Sequence, residues 1–166
     1  MRKTLAMGSG LPRVKSLSRA AYVVCVGAAL LVAALFLPRS HTVDALTGDG
    51  SDRPNATESA LLLAVVLVSG VLAVAGTIRA KPWLVAAAGV PGFLTALAWL
   101  WYVVDLRNGN RDIRTCAHDV FCTDLLTVRP DVGAYLIVAA GLVITLGGAL
   151  AAVGARRAKA RAQSMR

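Results

Sequence analysis

The stretch Val132–Val153 reads VGAYLIVAAGLVITLGGALAAV and holds no Asp, Glu, Lys or Arg. A helix needs about 20 apolar residues to cross the hydrocarbon of a bilayer, and this run supplies them. Lipid offers no partner to backbone polar groups, so such a run reads as a transmembrane helix. Its small residues also say how it packs. Where lipid tails are as apolar as the side chains, helices associate by close backbone approach, and Gly147/Ala151 and Gly148/Ala152 are small-xxx-small pairs. Gly141, Gly147, Gly148, Ala151 and Ala152 are therefore the expected helix interface.

Three more charge-free runs lie upstream, at 20–37, 60–78 and 83–104. With 57% hydrophobic and 16% charged residues and a mean hydropathy of +0.64, the chain is too apolar for an ordinary soluble domain. The expected fold class is an all-α integral membrane protein, four transmembrane helices packed as a bundle with both termini cytoplasmic. Its parts are a basic N-terminal segment 1–19, helices at 20–37, 60–78, 83–104 and 132–153, an outer loop 38–59, a cytoplasmic turn 79–82, an outer loop 105–131 and a basic tail 154–166.

Charge sets the orientation. Segments 1–19, 79–82 and 154–166 carry 12 of the 18 Lys and Arg and no acid, whereas all nine acids lie in the other two connections. The positive-inside rule then places both chain ends in the cytoplasm. A cleaved signal peptide is the weaker reading of the first run, because no clear small-x-small site ends it before Pro38. Richness in Ala, Val, Gly and Arg suits a bacterial plasma membrane. The net charge of +9 is divided into short blocks beside apolar runs, so no nucleic acid is expected as a partner. Membrane lipids are expected instead, and Arg156, Arg157, Lys159 and Arg161 sit where anionic headgroups would attract them.

The spans hold no Asp, Glu, Lys, Arg or His, which argues against a charge-coupled pump. The segment Gly89-Val90-Pro91-Gly92 predicts a bend, since proline removes a donor and crowds the preceding turn. Trp83 marks one boundary of that span, and Trp99, Trp101 and Tyr102 mark the other.

The polar connections carry what chemistry there is. Cys116 and Cys122 bracket CAHDVFC on the side expected to be oxidising, which favours a disulfide there. Their spacing exceeds the usual C-x2-4-C of a structural metal site, so no metal is expected. No activated nucleophile, phosphate loop or H-E-x-x-H pattern occurs, which leaves no catalytic residue, no cofactor and no enzyme to propose. Arg107, Arg111, Arg114, His118 and Asp119 form the expected outer contact surface. The first outer loop, with Gly48-Asp49-Gly50-Ser51-Asp52 and Arg53-Pro54, lacks strand periodicity. Asn55 or Thr57 reads as a helix cap, with Glu58 in the first turn.

Taken together these residues suggest a non-enzymatic accessory or assembly subunit of a larger membrane protein complex, packed through its small-residue faces and presenting a disulfide-pinned loop. A small homo-oligomeric transporter or pore is the alternative.

Overall fold

The computed structural model of the chain describes residues 11–44, 48–116 and 126–164. Its elements run α1 (Leu11–Ala34), β1 (Ser40–Asp44), β2 (Gly48–Asp52), α2 (Ala56–Ile78), α3 (Pro82–Ala87), α4 (Gly89–Cys116), β3 (Leu126–Pro130) and α5 (Val132–Ser164). Four helical stretches are long and apolar enough to cross a membrane, with mean hydropathies from 1.7 to 2.6. They are Leu17–Ala34, Ala56–Ile78, Pro82–Asn108 and Val132–Ala160. The protein is thus a multi-pass, four-helix membrane bundle, and its exposed leucines and valines are the surface that lipid covers.

Helix α5 is the hub, packed against α1, α3 and α4. Its glycines explain why. A Cβ on Gly147 would stand 2.7 Å from Val24 Cγ2 and 3.0 Å from Ala20 O, both on α1. One on Gly148, turned toward the other side, would stand 2.7 Å from Gly89 Cα and 2.9 Å from Ala86 O. Gly141 meets Gly92 O and the Ala96 amide in the same way. Adjacent glycines therefore seat different helices, and the gaps close with Val24, Ile137 and Ile144, all fully buried. Ala151 is buried with the same cluster, and Ala152 is half-buried beside it.

The third span is interrupted just before its proline. The interruption falls at Ala88, between α3 and α4, and Pro91 occupies the first turn of α4. Proline there has no N–H to return to Ala87, so the carbonyl ladder ends where α3 ends. Thr95 Oγ1 donates to Pro91 O at 2.9 Å, a bond within the same helix.

Two expectations are corrected. The all-α description omits a three-stranded antiparallel sheet of order β2-β1-β3, in which Thr42 faces Gly50 on one side and Val128 on the other. The Gly-rich β2 has no strand pattern of its own and takes its register from β1, which is paired on both edges. The disulfide-pinned loop is the second correction. Among the described residues there is no disulfide, and the free cysteine is Cys25, exposed on α1. Cys116 ends α4, so that helix, rather than loop, runs through Asp105 to Cys116. Cys122 lies outside the described residues. The accessory-subunit reading built on that loop falls with it, and nothing in the geometry assigns the chain a specific subunit role.

Candidate functional site

The sheet end of the bundle is organised around Arg39. This residue follows Pro38 at the close of the first span, and its backbone is tied on both sides. Its N–H donates to Asp52 O at 2.9 Å, its carbonyl accepts from the Asp131 N–H at 2.8 Å, and the Gly133 N–H donates to Pro38 O at 2.9 Å. The end of α1, the end of β2 and the start of α5 are thereby joined at one point. Gly133 is obligatory there, because a Cβ would lie 2.4 Å from Pro38 O.

The Arg39 side chain, only 13% exposed, bridges two carboxylates. Nε and Nη2 donate to Asp52 Oδ2 at 3.0 and 2.6 Å, and Nη1 donates to Glu58 Oε2. The Glu58 hydrogen bond is the chief reason that the guanidinium pKa rises further above its already high ordinary value. Burial opposes the rise and Asp52 adds to it. A raised pKa means that the interaction is complete below arginine's ordinary range and is lost only above it, so Arg39 gives the cluster no pH dependence near neutrality.

Glu58 is held from a second direction by helix chemistry. Asn55 caps α2, its Oδ1 accepting from the Glu58 N–H at 2.9 Å, while the Asn55 N–H donates to Glu58 Oε2 at 3.1 Å. This reciprocal capping box fixes the carboxylate at the first turn of α2. There it stands at the mouth of a groove of about 390 Å³ between α2 and α4. Leu61, Leu62 and Val65 form one wall; Val90, Leu94, Ala98 and Trp99 form the other.

The groove lies beside α2, which the glycines of α5 do not contact. Its buried face, Leu62, Ser69, Ala73 and Gly76, turns toward α1 and α3, where a Cβ on Gly76 would meet Val85 at 2.5 Å. Opposite α4 it presents Leu61, Leu62 and Val65 rather than small residues, and α2 touches α4 less extensively than α5 does. Trp99 is wedged on the α4 side, edge-on to Tyr102 with ring centroids 5.2 Å apart, while Trp101 points outward and is 76% exposed. From Val90 to Trp99 the groove follows α4 for about 14 Å, close to half the hydrocarbon thickness. Leu61 and Leu94 on its lips are 63% and 59% exposed, so it opens sideways, where a bilayer would be.

A second hollow, of about 620 Å³, separates α1 from α2 and is lined by Cys25, Ala28, Gly70, Val71 and Val74 among others. No charged side chain lines it. Among the described residues no group of three or more His, Cys, Asp or Glu is placed to hold a metal ion.

Of the residues singled out in the sequence, Gly141, Gly147, Gly148 and Ala151 lie inside the bundle, and Gly154 and Gly70 have open space beside them. Arg107 is exposed on α4, and the backbones of Arg111 and Arg114 continue that helix. His118 and Asp119 lie outside the described residues. The sequence reading missed Arg39 and gave Glu58 only its place in a helix cap. Their signal was available: two opposite charges, Arg39 and Glu58, flank the connection between the first two spans. No protein-family model and no curated protein matches the chain.

Proposed function

We propose that the chain is a non-enzymatic, multi-pass protein of the plasma membrane, with both termini cytoplasmic, that binds a membrane amphiphile taken laterally into the α2/α4 groove. The observation that carries this reading is the groove itself, apolar along its length, open toward lipid and headed by one fixed carboxylate. Ligand sites are mostly apolar concavities with a few placed polar groups that set orientation, in a size range that includes this one. The 12-to-six distribution of Lys and Arg supports this orientation, in which the sheet and Glu58 would lie at the outer surface. The occupant's tail would then lie in the outer half of the bilayer.

The test is photolabelling in vesicles with a phospholipid that carries a diazirine in its acyl chain, with the labelled residues mapped by mass spectrometry. Leu61, Leu94 and Ala98 are expected to be labelled several-fold more than Leu100 and Leu142, which face lipid outside the groove. Equal labelling of both sets would overturn the reading, because a helix surface in passing contact with bulk lipid gives that result.

A further inference from the structure

The groove's polar end says which headgroup it suits. The cluster at the mouth contains one cation and two carboxylates, Arg39 with Asp52 and Glu58, and so carries a net negative charge. Each nitrogen of the Arg39 guanidinium already donates one bond to those carboxylates and the side chain is largely buried, which leaves it poorly placed to receive a phosphate. Glu58 is used unevenly. Both hydrogen bonds that it accepts through its side chain, from Arg39 and from the Asn55 N–H, fall on Oε2. Oε1 belongs to a side chain that is 33% exposed and lines the groove. A carboxylate oxygen is an acceptor only, so it calls for a donor on the ligand.

We infer that the occupant is an amphiphile whose headgroup carries a primary amine, its ammonium donating to Glu58 while its chain fills the groove. A quaternary ammonium matches the charge but has no N–H to give, and an anionic head meets the cluster's net negative charge. A primary amine satisfies both the charge and the acceptor. This inference rests on the lateral-binding reading and deepens it.

The experiment offers the full-length protein, in detergent, equimolar phosphatidylethanolamine, phosphatidylcholine and phosphatidylglycerol of identical chains, and reads retained lipid by native mass spectrometry. Phosphatidylethanolamine is expected to be enriched about fivefold over each of the other two, the ratio that one partly exposed charge-assisted contact sustains. E58Q keeps an acceptor but removes the charge, and should bring the phosphatidylglycerol ratio close to parity. D52N removes the neighbouring charge without touching the capping box, and should lower the same ratio if E58Q does not fold. Lipid retained by the wild-type protein without preference would overturn the amine assignment and leave the groove reading intact. Retention of phosphatidylglycerol above phosphatidylethanolamine would also overturn the assignment and point to a preference for an anionic head instead. No retained lipid at all would overturn the lateral-binding reading itself.

Discussion

Ala80 shows most simply how backbone geometry is imposed on this chain. It has φ of 50°, the left-handed region that an L side chain resists. The reason is the end of α2. Lys81 N–H bonds Gly76 O at 2.9 Å and Ala80 N–H bonds Thr77 O at 3.2 Å, the paired bonds of a Schellman cap. That position favours glycine, so A80G should stabilise the protein by about 1 kcal/mol, measured as a rise in the thermal unfolding midpoint in detergent. An unchanged or lower midpoint would mean that the turn relaxes without cost. Single residues were unevenly legible in the sequence. Asn55 was readable as a cap because Asx followed three residues later by Glu is a local pattern. Arg39 was not, because its role comes from Asp52 and Glu58, which only the folded sheet end brings to it. The cysteine pair was read from spacing and compartment alone, and neither gives the secondary structure at Cys116, which is helical.

At the scale of elements, helices and strands were legible to different degrees. The spans declare themselves, since charge-free length in lipid leaves the backbone one solution. The sheet does not. Its strands are five residues each; β1 and β2 are neighbours in sequence, but β3 pairs to β1 from the far side of α2, α3 and α4. The helix contacts test the account of packing. At Gly148 the nearest atoms to an added Cβ are backbone atoms of Gly89 and Ala86, which have no rotamer to yield. At Gly154, on the same helix, an added Cβ meets nothing within 4 Å. G148A should therefore destabilise the bundle by about 2 kcal/mol, as overpacking does, while G154A should be neutral or slightly stabilising from helix propensity. Comparable losses in both variants would show that glycine matters here for something other than close approach.

For the whole molecule, one arrangement links packing to function. Small residues on α5 gather α1, α3 and α4, and α2 is left on the flank of that assembly with a groove on either side. The arrangement was half legible: the small residues of the fourth span are visible in the sequence, but the groove depends on which helix they do not reach. Of these two grooves, the one headed by Glu58 combines an apolar wall with a fixed charge, and the proposed lateral binding of an amphiphile rests on that combination. Ala98 is exposed on the groove wall, so a larger side chain there would occupy the cavity without entering the core. Leu67, 65% exposed on α2, lines the other hollow and provides the matched control. The most direct measurement is the amount of lipid that remains bound per protein after thorough detergent exchange, compared among wild type, A98F and L67F. The account predicts that A98F loses the retained lipid while L67F keeps it at the wild-type level; equal retention by wild type and A98F would contradict it.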